Sequence, residues 1–71
     1  MKEFKLRDGE DFIKLGQLLK ATNLVSTGVE AKIEITEGNV SVNGQICDMR
    51  GKKIHDGDTV AFNGEEIKVI K

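Results

Sequence analysis

From Leu15 the apolar side chains recur at helical spacing. Leu15, Leu18, Leu19 and Thr22 follow the i, i+3, i+4, i+7 rule and leave Gln17 and Lys20 to water, which predicts a short amphipathic helix ending near Asn23. A second helix has a clearer start. Thr27-Gly28-Val29-Glu30 fits a capping box, in which the Thr hydroxyl and the Glu carboxylate each satisfy a free backbone N–H. Val29 and Ile33 then share one stripe, Ala31 and Ile35 an adjacent one, and Gly38 suits a left-handed C-terminal cap. Beyond Gly38 the period drops to two. "NVSVN" presents Val40 and Val42 on one face, Asn43-Gly44 turns, and "QICDM" returns. "DTVAFN" and "EEIKVI" flank Asn63-Gly64, with Val60, Phe62, Ile67 and Val69 alternating as a closing hairpin should.

Four of the eight glycines follow Asn or Asp, the pairs that most readily adopt the positive φ angles of two-residue hairpin turns. The first, Asp8-Gly9, predicts a hairpin joining "EFKLR" to "EDFIK". That register sets Arg7 opposite Glu10, Phe4 opposite Ile13 and Glu3 opposite Lys14, two pairs of opposite charge and one apolar pair. The rival is a helix beginning at Glu10 or Asp11. The expected order is a hairpin, two short helices and a small antiparallel sheet. Helices packed on one face of such a sheet make an α+β domain.

Length sets the scale of the core. A 71-residue chain makes a single domain, residues 1–71, and buries only about 60% of the surface its unfolded form exposes. Charged residues reach 32%, but the signs are interspersed, unlike a disordered charged tail. No apolar run approaches the roughly 18 residues that cross a bilayer, and no signal-peptide pattern opens the chain. With one Cys and no internal disulfide, the expected compartment is the cytoplasm. The net charge of -1 excludes wholesale coating of nucleic acid, so any nucleic-acid site has to be a local patch on a neutral body.

Few residues suggest catalysis. His55 lies in "KIHDGD", which is a turn motif in its own right, and Cys47 has neither a second Cys nor a spaced His for a zinc site. Asp48 beside it is not an activating neighbour for a nucleophilic thiol, and no phosphate-cradling GxxxxGK loop is present. No catalytic or metal-binding residue is assigned, no cofactor is expected, and the chain does not read as an enzyme. The basic residues are more informative. Arg50, Lys52 and Lys53 surround Gly51 just past the Asn43-Gly44 arm, either as a solvated loop or as phosphate contacts. The start of the second helix, at Ser26, Thr27 and Gly28, offers backbone N–H groups to an anion; Lys32 extends the strip, and Glu34 and Glu37 dilute it.

The stretch "LGQLLKATNLVSTGVEAKIEITEGNVSVNGQICDMRGKKIHDGDTV" resembles the RNA-binding domain of ribosomal protein S-four, the αL motif, in its small bacterial stand-alone form. The ordered elements are Leu18 and Leu19, Ser26, Glu30-Ala31, Gly38, Val42-Asn43-Gly44 and Gly57-Asp58, spanning about residues 14–62. The resemblance implies a monomer that binds structured RNA of the ribosomal or transfer type, with ribosomal particles or other proteins as further partners. Carried over by position, Lys20, Ser26, Thr27 and Lys32 belong to the helix side of the RNA-binding face, and Asn43, Arg50, Lys52 and Lys53 to the arm. Two departures remove cations. Lys32 is followed by Ile33 and Glu34 where many members carry two basic residues, and Lys14, Leu15 and Gly16 stand where an Arg is common.

No aromatic residue is positioned for base stacking, so reading of RNA shape and phosphate is expected rather than reading of single-stranded sequence. An adaptor that kept the fold and binds protein instead is the alternative. A β-grasp carrier is set aside because the chain ends in Val69-Ile70-Lys71 rather than Gly-Gly.

Overall fold

A computed structural model describes residues 2–71, and these form an α+β fold with two sheets. The elements in chain order are β1 (Lys2–Lys5), β2 (Phe12–Lys14), α1 (Leu15–Ala21), α2 (Gly28–Thr36), β3 (Val40–Val42), β4 (Gln45–Ile46), β5 (Lys53–His55), β6 (Thr59–Phe62) and β7 (Glu65–Ile70). The larger sheet runs β1-β7-β6-β3-β4, and the smaller is the antiparallel ribbon β2-β5.

Both helices form where the spacing places them. Leu15, Leu18 and Leu19 of α1 are buried together with Ala31 and Ile35 of α2, against Val40, Val60, Ile67 and Val69 of the sheet. Thr27 caps α2 by accepting the Glu30 N–H at 3.1 Å, and the Glu30 carboxylate reaches back to the Ser26 N–H at 3.0 Å. At the other end Gly38, at φ +80°, donates to the Ile35 carbonyl while Asn39 donates to the Glu34 carbonyl, a Schellman arrangement. The second predicted stripe of α2 stays outside. Val29 and Ile33 are 69% and 50% exposed, so only the Ala31–Ile35 stripe faces the core.

The N-terminal hairpin does not form. Asp8-Gly9 turns, with the Glu10 N–H donating to the Arg7 carbonyl at 3.0 Å, but β1 pairs in parallel with β7 and β2 pairs with β5. The cause lies in the turn. Asn43-Gly44 and Asn63-Gly64 each have both residues at positive φ, as a tight two-residue hairpin requires, and each joins neighbouring strands. At Asp8-Gly9 and Asp56-Gly57 only the glycine is at positive φ, and each carries the chain from one sheet to the other. Burial of Leu6, whose N–H donates to the Ile70 carbonyl at 2.8 Å, ties the first strand beside the last. The main sheet is therefore antiparallel except for its β1·β7 edge.

Candidate nucleic-acid interface

The loop after β4 owes its position to the start of α1. Lys14, the N-cap residue of α1, offers no side-chain cap. Its role is filled by backbone carbonyls from across the fold: the Leu15 N–H donates to Lys52 O at 2.9 Å and the Gly16 N–H to Arg50 O at 3.1 Å. The loop itself is closed by Lys52 N–H donating to the Met49 carbonyl at 3.1 Å, with Arg50 and Gly51 at the corner. These bonds hold the Arg50 turn over the first turn of α1.

One shallow groove results. Lys14, Lys20, Lys32 and Arg50 line it around Gly16, Gly28 and Gly51, with Gln17 at its side and no carboxylate in its wall. Its cations come from β2, α1, α2 and the Arg50 turn. Among the described residues the ion pairs are Lys71 with Asp11 and His55 with Asp58, so none of the four groove cations is neutralised by a paired acid. Four like charges at one concavity repel each other, and an anionic ligand relieves that repulsion.

The other expected residues divide into two groups. Lys52 and Lys53 lie across Gly51 from this groove, in a neighbouring depression with Asn43, His55 and Asp58. Asn43 is exposed, yet its side chain serves the fold: Nδ2 donates to Asp58 Oδ1 at 3.0 Å and Oδ1 accepts the Thr59 N–H at 2.9 Å. Ser26 and Thr27 are committed to the cap of α2, where the Glu30 carboxylate already supplies an anion. From the helix side, Lys20 and Lys32 reach the groove; from the arm, Arg50 does.

Asp58 is held ionised. Partial burial pushes its carboxyl up, but the Asn43 amide, the His55 N–H and the His55 and Lys52 charges together outweigh that effect and place it below the usual carboxylate value. Its Oδ2 accepts the His55 N–H at 2.8 Å. The "VNG" and "GD" elements are thus two halves of one clamp. Cys47 packs partly buried against the core, as a small apolar residue does.

Two residues were not anticipated as site members. Lys14, in the Lys14-Leu15-Gly16 stretch where an Arg is common, enters the groove and supplies a cation there. Phe12 lies half-buried on the ribbon, with the Lys53 ammonium 5.0 Å from its ring centroid.

Two short helices, an arm turning at Asn43-Gly44 and a cationic groove where they meet define the chain as an αL-motif domain. It belongs to the S4 domain family, which it matches over residues 4–70, beyond both ends of the 14–62 stretch. YbcJ of Escherichia coli (strain K12) is 38% identical over 58 residues, 82% of this chain and 83% of that protein. RlbA of Bacillus subtilis (strain 168), named a probable ribosome maturation protein, is 37% identical over 54 residues, 76% of each. The solution structure of E. coli YbcJ is described as revealing an αL motif involved in RNA binding. It matches all of this chain and 89% of its own with a TM-score of 0.74 at 35% identity.

Proposed function

We propose that this protein binds folded or double-helical RNA, of the ribosomal or transfer type, by gripping its phosphate backbone in the groove of Lys14, Lys20, Lys32 and Arg50. One observation carries the reading: four cations from four separate elements converge on one concavity without a carboxylate, in a chain of net charge -1. Arg50 suits a forked contact with phosphate oxygens, and the lysines act as mobile point charges. Lys52 and Lys53 extend the positive field along the arm. Ser26, Thr27 and Asn43 serve by fixing the walls. The related proteins, one described with an αL motif involved in RNA binding and one named a probable ribosome maturation protein, support the same partner class. Work in the cytoplasm as a monomer is part of this proposal.

A salt titration tests this. With about four phosphates neutralised, log K for a structured RNA falls with log salt at a slope on the order of -3 to -4. Lys32→Ala with Arg50→Ala lowers the affinity and flattens the slope by about 2. Unchanged affinity and slope would reject the groove as the contact.

A protein-adaptor role is the second reading, favoured by the exposed Val29 and Ile33 on α2. A defined protein complex that survives ribonuclease, together with no measurable RNA affinity of the purified chain, would replace the first reading with this one.

A further inference from the structure

The ribbon β2-β5 has a face that the core does not use. Its register pairs Phe12 with His55, Ile13 with Ile54 and Lys14 with Lys53. Ile54 is buried and Ile13 packs against the core, so by strand alternation Phe12, Lys14, Lys53 and His55 share the outer face. That face carries one aromatic ring, two lysines and an imidazole, and no carboxylate. At its edge Asp58 Oδ2 lies 3.9 Å from His55 Nδ1 and is already held by the His55 N–H, with Asn43 on the other oxygen, and Asp11 pairs with Lys71.

Two features of this face are costly or idle for the fold alone. Lys14 and Lys53 stand directly opposite one another, a like-charge cross-strand pair that destabilises a ribbon. Phe12 is the one phenylalanine outside the core: Phe62 is buried within it and Phe4 packs against it. The Phe12 ring instead meets His55 at a centroid distance of 6.0 Å and lies under the Lys53 ammonium. Lys14 belongs both to this face and to the groove, so the two surfaces are continuous.

We infer that the outer face of the ribbon seats an unpaired nucleotide adjoining the helical RNA in the groove, with Lys14 and Lys53 taking its phosphate and the Phe12–His55 pair its base. Lys53 is the movable member. Resting over the Phe12 ring in the free protein, its ammonium swings to the incoming phosphate and uncovers the ring for stacking. This rests on the groove holding the helical part. It turns a shape reader into one that detects a junction between paired and unpaired RNA.

The test compares one RNA hairpin, blunt or extended by a short single-stranded tail, against the full chain. The tail tightens binding about tenfold, as one stacked base and an added phosphate contact would. Phe12→Leu, which keeps apolar bulk and removes the ring, brings the ratio of the two dissociation constants to within about twofold of one. Lys53→Gln, at an exposed position, lowers the same ratio and carries the test should the Phe12 variant fail to fold by thermal unfolding. A wild-type ratio near one, or a tenfold ratio kept in the folded variants, overturns the inference and leaves the groove standing. Failure of wild type to bind either RNA overturns both.

Discussion

The amide of Asn43 and the carboxylate of Asp58, fifteen positions apart, meet at 3.0 Å and lock the turn of the arm onto the turn that leads into β6. The Thr59 N–H, held by the same amide at 2.9 Å, and the Asn43 N–H, donated to the Thr59 carbonyl at 2.7 Å, complete the clamp. Asn43→Gly, which keeps the positive φ, should cost about 1–2 kcal/mol in urea unfolding. Asp58→Ala should cost a similar amount. Because both changes remove one shared contact, the double variant should lose less than the sum by about 1 kcal/mol. Strict additivity would show that the two turns are independent.

Asp58 also gives the protein an acid limit. Its folded pKa is lowered, so its contribution to stability is present above the unfolded value of about 3.9 and is lost as pH falls through the lower folded value. The stability gap between wild type and Asp58→Asn should therefore be widest near neutrality and narrow below about pH 4. Urea titrations of both proteins at pH 6 and pH 3 measure it, and a constant gap would contradict the sign.

Lys14 should show two effects of opposite sign. Lys14→Gln removes a groove cation, weakening RNA binding and reducing the salt slope by about 1. It also relieves the repulsion with Lys53, so the free protein should gain about 0.2–1 kcal/mol in thermal or urea unfolding. A lysine with a purely structural role would lose stability instead.

Thr27 reaches the interface through the helix it starts. Thr27→Ala should destabilise the protein by about 1 kcal/mol and loosen the wall that carries Gly28 and Lys32. Thr27→Ser keeps the accepting hydroxyl and should restore both stability and RNA affinity. Failure of Ser to rescue would separate the cap from the binding.

Much of this architecture was legible because its signals are local. The leucine spacing of α1, the Thr27–Glu30 box, the Gly38 cap and the two Asn-Gly hairpins each reside within a few consecutive residues. The N-terminal strands were misassigned for the opposite reason. Across Asp8-Gly9 the charges suit a hairpin, but that register leaves Leu6 facing Asp11, and the partners that bury Leu6 come from the far end of the chain. No local pattern distinguishes an Asp-Gly that closes a hairpin from one that moves the chain between sheets. The site follows the same division. Lys32 and Arg50 could be named from their neighbours and Lys20 from the family resemblance, whereas Lys14 becomes a groove residue only once the Arg50 and Lys52 carbonyls sit over α1. The ribbon face needed the register of β2 against β5, which no local pattern supplies because the two strands lie about forty residues apart.

The carbonyls of Arg50 and Lys52 that complete the first turn of α1 also make the groove a product of tertiary docking. The two helices alone carry Lys20 and Lys32 but lack the wall that the Arg50 turn supplies. Any event that undocks that turn, far from the helices in sequence, should therefore scatter the four cations while leaving each helix intact.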